Sequence, residues 1–130
     1  MVVGVLSGKT EKTMNETLNQ KQQALVAVAA CEAKDDQKTL ERILDDAFER
    51  GVLTVNEAKE TLSQLYAYTG FPRSLNALAS LQKVVAERRK ENRSVEVGCD
   101  ASPLPDDYDA LKQGTVVQTR MSGKPFDYAF

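Results

Sequence analysis

Apolar positions recur every three or four residues through the first two-thirds of the chain and lose that rhythm after Ser94. Thr13 with Glu16 has the spacing of a capping box, in which each side chain satisfies a free backbone N–H at a helix start. It predicts a helix running to about Ala33, preceded by a loose terminus over residues 1–12. The second half of that helix, Ala24-Leu-Val-Ala-Val-Ala-Ala-Cys31, is apolar on nearly every face. Such a helix is buried on several sides, by its own domain or by a neighbouring subunit. Asp35 or Asp36 then caps a second helix, in which Leu40, Ile43, Leu44, Ala47 and Phe48 form one stripe. Lys38, Glu41, Arg42, Asp45 and Glu49 fall on the solvent side. Gly51 occupies the place of a left-handed C-terminal cap.

Thr54 and Glu57 make another capping box, with Leu53 placed to staple onto Ala58. The helix that follows buries Val55, Ala58, Leu62 and Leu65 and stops at Gly70. Pro72 disfavours helical geometry at Phe71 yet suits the first turn of a new helix. Gly70 and Pro72 therefore predict a tight reversal with Phe71 plugging the corner. A fourth helix carries Leu75, Leu78, Leu81, Val84 and Val85 inward and frays in the charge run from Glu87 to Arg93, read as a solvated helix end. Beyond Ser94, Gly98, Pro103, Pro105, Gly114, Gly123 and Pro125 punctuate a segment without helical period. Thr115 to Met121 forms at most a short extended stretch. The organisation expected is a helical domain over 13–93 and an irregular tail or linker over 94–130.

Composition narrows the chemistry. At 130 residues the chain allows one domain with a modest core, which association would help to stabilise. A net charge of −2 produces no field that points to nucleic acid or an anionic membrane. No apolar run approaches membrane-spanning length, and the first residues lack the basic start of a signal peptide. Cys31 and Cys99 make no disulfide framework, so a reducing cytoplasm is the default expectation. The chain contains no histidine. That removes Ser-His-Asp and Cys-His nucleophilic sites and the usual nitrogen ligand of a metal site. No metal or cofactor is expected, and acid–base work would fall to carboxylates, lysine or tyrosine.

The stretch Tyr66-Ala-Tyr-Thr-Gly-Phe-Pro-Arg-Ser-Leu-Asn-Ala-Leu78 resembles the helix-turn-helix core of the carboxymuconolactone decarboxylase family, which includes the alkylhydroperoxidase-D-type thiol peroxidases. Gln23 to Ala30 resembles that family's first core helix, and Ala47 to Glu57 its joint between second and third helices. The likeness covers about Gln22 to Arg89 and is nearest to the first half of tandem members. Ser102 to Pro105 and Gly114 to Phe126 look like the linker into a second domain. The resemblance implies an all-α, alkylhydroperoxidase-D-like bundle that assembles as a homo-oligomer, a hexamer or trimer of dimers. Peroxidases of the family use a Cys-x-x-Cys pair with a glutamate and a histidine, and the decarboxylases usually keep a histidine. At the matching positions this chain has Ala24, Asp36 and Ile43.

Cys31 reads as a small buried hydrophobe, whose burial makes a thiol inert. Its functional alternative is a one-cysteine peroxidase activated by Lys34 or Arg73. Tyr66 and Tyr68, two apart on a helix, point to different faces, one of them to core or interface and the other to a cavity. Arg73 and Asn76, near the same helix start, either hold an anionic ligand with the free N–H groups there or complete a turn and a cap. Two functional classes follow. One is a non-redox helical oligomer, a scaffold or a binder of a small organic ligand. The other is an enzyme with an altered site, either decarboxylase/lactone-type or a weak peroxidase based on Cys31.

Overall fold

A computed structural model describes residues 17–125. Among them the chain forms helices and no strands. Contacts divide it into one unit ending at Asp100 and another beginning at Ala101. In the first, α1 spans Gln20–Lys34, α2 Gln37–Glu49, α3 Val55–Gln64, α4 Tyr66–Thr69 and α5 Phe71–Lys90. In the second, α6 spans Ala110–Ser122.

Local chemistry sets these boundaries. Thr13 and Glu16 lie outside the described residues, and α1 starts later than the sequence suggests. Asn19 is extended (ψ 170°) and forms the capping box with Gln22, so no helix runs unbroken from Thr13 to Ala33. Asp35 and Asp36 divide their labour. Asp35 closes α1 in the left-handed conformation (φ 56°), while the Asp36 carboxylate accepts from the Thr39 N–H and starts α2. Gly51 takes φ +63° after α2, and Thr54 with Glu57 forms the expected capping box on α3.

The five apolar residues of the α2 stripe are all buried, and Leu53 and Ala58 share their core with Val28, Cys31 and Leu62. Burying a Leu, Val or Phe side chain contributes roughly 1.5–3 kcal/mol, so this shared core organises the unit. Three positions depart from the sequence reading. Phe71 is 61% exposed and does not plug the corner; its ring meets the exposed Tyr66 edge-on, with centroids 6.1 Å apart. Leu75 is 52% exposed, and Ser74, Ala77 and Ser80 take inward places beside Leu81, Val84 and Val85. The charge run is not simply solvated, because Arg88 is buried. The apolar α1 is covered only in part: Val26 is exposed and Leu25 half-buried.

Residues 94–100 belong to the helical unit for a reason invisible to periodicity. The carbonyls of Glu96 and Val97 accept from the Val55 and Asn56 N–H groups, both at 2.9 Å. These are free donors of the α3 N-terminus. The Asn56 amide donates in addition to Gly98 O and Asp100 Oδ1. In the second unit, Thr115 to Met121 is helical, correcting the extended reading. Asp109 caps the N-terminus by accepting from Lys112 N–H, and Gly123 (φ 71°) closes the other end. Leu111, Val117 and Met121 of α6 are exposed.

Candidate functional site

The residues singled out from sequence gather where the C-terminal turn of α1 meets α4 and the start of α5. Arg73 Nη1 donates to Ala33 O at 2.8 Å, and Asn76 Nδ2 donates to Asp35 Oδ1 at 3.4 Å. A helix C-terminus leaves carbonyls without intrahelical partners and carries partial negative charge. Arg73 answers both needs at the end of α1. Both side chains thus fasten α5 to the α1 cap. Tyr66 and Tyr68 do lie on different faces, yet neither enters the core: both are exposed, Tyr68 at 86%.

Cys31 is fully buried, with 0% of its surface exposed. Burial pushes its thiol above the ordinary range, and the nearby Asp36 charge pushes the same way against Lys34 and Arg42. An inert structural thiol has this environment. Cys99, by contrast, is exposed. The positions matched to the family's reactive groups are structural too. Ala24 and Ile43 are in the core, and Asp36 is committed to capping α2.

The sequence reading missed Glu32. It is 1% exposed and lies one turn beyond Val28 on the inward face of α1. Thr69 Oγ1 stands 2.8 Å from Glu32 Oε1 and 3.0 Å from Leu65 O. A hydroxyl carries one proton, so it cannot donate fully to both. Thr69 Oγ1 therefore divides its single proton between the Glu32 carboxyl and the Leu65 carbonyl. Glu32 Oε2 has no hydrogen-bond partner among the described residues. Burial raises the carboxyl pKa, and the Thr69 hydrogen bond opposes it less strongly. Because the folded value is the higher one, the stabilising effect of the neutral acid is complete below the unfolded carboxyl range. It is lost as pH rises through the folded value. Urea midpoints measured across pH should therefore show this alkaline loss in the parent chain and a flatter profile in Glu32→Gln. Thr69→Val should cost about 1–3 kcal/mol by stranding the carboxyl.

The larger concavities lie elsewhere. One, of about 570 Å³, is walled by charged side chains including Lys38, Glu41, Arg42 and Arg93. A second, of about 600 Å³, runs between α3 and α5, with Val55, Lys59, Leu75, Leu78, Val85 and Arg89 on its walls. Ser63, Leu75 and Leu78 carry this surface on into a shallower one beside Tyr66 and Phe71. The result is an apolar groove along the outer side of the α3–α5 pair, aromatic at one end and cationic at the other. Among the described residues no group of three or more potential ligands could hold a metal ion. No described helix is long and apolar enough to cross a membrane. Comparisons with protein-family models, curated proteins and solved structures find no match for this chain.

Proposed function

We propose that this chain is a non-redox helical protein of the carboxymuconolactone decarboxylase type, a homo-oligomer that serves as a scaffold or holds a small organic ligand. The observation that carries the reading is the state of the thiol. Cys31 is sealed in the core, its pKa is raised, and it forms no disulfide with Cys99, which is exposed. A peroxidatic cysteine needs the opposite: exposure, a lowered pKa and a resolving partner. Asp36 and Ile43 are spent on a helix cap and on packing, so neither supplies a substitute group. Self-association is supported by the exposed apolar face of α5 and by the partly uncovered α1, because large apolar patches mark contact sites.

Peroxide consumption by the full chain with a thiol reductant tests the reading. The parent chain and Cys31→Ser should both stay at the buffer rate. Turnover in the parent that disappears in Cys31→Ser would establish the peroxidase alternative instead.

A further inference from the structure

The outer face of α5 carries a second stripe whose character changes along the helix. Phe71, Leu75, Ala79, Gln82, Ala86 and Arg89 follow one another at intervals of four, four, three, four and three. This spacing holds them on one stripe of the helix. The stripe is separate from the inward one, and each of its six residues is exposed. It is about 27 Å long at 1.5 Å per residue.

Its composition is graded. Large apolar and aromatic groups, Phe71 with Tyr66 beside it and then Leu75, occupy the N-terminal half. Small Ala86 and cationic Arg89 occupy the C-terminal half, where Lys59 of α3 borders the same groove.

From this gradient we infer that two copies of the chain dock through this face about a two-fold axis passing between Ala79 and Gln82, with their α5 helices antiparallel. The inference rests on the homo-oligomeric reading above and names its surface. Antiparallel pairing places Leu75 against the small Ala86 of the second copy, so a knob meets a space. It also sets the Phe71 and Tyr66 rings opposite the cationic end carrying Arg89, where a guanidinium over an aromatic face is attractive. Ala79 of each copy meets Gln82 of the other at the axis, where the small alanine leaves room for the longer glutamine side chain. Parallel pairing would oppose Arg89 to Arg89 and Leu75 to Leu75, uniting like charges and like bulk. A self-complementary patch of this kind closes as a pair and leaves no repeating contact.

Light scattering on the full chain, with crosslinking, decides the matter. The parent should have an even number of copies, Leu75→Asp should halve the mass, and Val26→Asp on α1 should leave the pair intact. In a Cys99→Ser background, mixing Leu75→Cys with Ala86→Cys chains should form a disulfide-linked pair faster than either chain alone. A monomeric parent would overturn the oligomeric reading and this surface with it. An oligomeric parent whose mass Leu75→Asp does not change would overturn this surface alone. Crosslinking of Leu75→Cys to itself as fast as in the mixture would overturn the antiparallel arrangement. Far-UV circular dichroism of Leu75→Asp matching the parent ties its change in mass to the interface; if that variant unfolds, Ala79→Glu is scored in its place.

Discussion

Replacing Arg88 with alanine should lower the unfolding free energy by about 3 kcal/mol, near the lower end of the range for breaking a buried ion pair. Arg88 is 1% exposed, and each of its five N–H donors is used. Nε and Nη2 donate to Ser94 O, Nη1 to the backbone and carboxylate of Asp45, and Nη2 also to Glu49 at 2.6 Å. One guanidinium thereby joins α5 to α2 and to the segment that leads back to α3. The expected loss stays near the lower end because Asp45 and Glu49 are themselves partly solvated and can return to water. Lysine has three donors on a single nitrogen and cannot reproduce the fork, so Arg88→Lys should recover only part of the loss. Urea unfolding gives both numbers.

A pH signature accompanies that loss. For Asp45, burial works against ionisation, but the hydrogen bonds from Arg88 and Arg93 outweigh it and lower the pKa. For Glu49, the hydrogen bonds from Arg88 and Arg93 lead the lowering. Folded values below the unfolded ones mean stability that is present above the unfolded carboxylate range and lost as pH falls through the folded values. Arg88→Ala should therefore have a shallower acid limb than the parent. An unchanged limb would mean that these carboxylates gain nothing from Arg88.

Gly98→Ala should be nearly as damaging, at about 2–4 kcal/mol from backbone strain and loss of a cap together. Gly98 has φ +81°, and a Cβ there would collide with the Thr54 side chain, reaching its Cβ at 2.7 Å. Thr54 is the N-cap of α3, so the collision strikes a hydrogen-bonding group as well as a volume. Gly51→Ala is the matched control. It has a similar φ of +63° but nothing within 4 Å, so strain alone remains, about 1 kcal/mol. Thermal unfolding of the two variants should separate them clearly. Equal losses would show that residue 98 does not press on Thr54 in solution.

The parts of the fold legible in sequence were those fixed by local rules. The α2 stripe, the Thr54–Glu57 box, the caps at Asp36 and Gly51 and the helix break at Gly70 each depend on residues within one or two turns. What escaped depends on distant partners. Arg88 sat in a run of charges, although its place three and four residues after Val85 and Val84 put it on the inward stripe; the signal was there, masked by residue type. Glu32 was hidden in the same way, four residues beyond Val28. Pairing of residues 96 and 97 with the α3 N-terminus uses backbone carbonyls, which any sequence supplies. For α6, Gly114 and the β-branched Thr115-Val116-Val117 suggested extension, while the caps Asp109 and Gly123 already bracketed a helix. Apolar period alone could not tell whether Phe71 and Leu75 meet the core or another surface. Of the candidate site, the buried nature of Cys31 was legible, and the clasp made by Arg73 and Asn76 appeared as one of two alternatives.

Titration of thiols in the native full chain with an aromatic disulfide decides whether the folded protein offers a reactive thiol at Cys31. One thiol per chain, that of Cys99, should react at once, and Cys31 should follow only as the chain opens, with both reacting at once in denaturant. Rapid reaction of Cys31 in the folded protein would show an accessible thiol and overturn the non-redox reading.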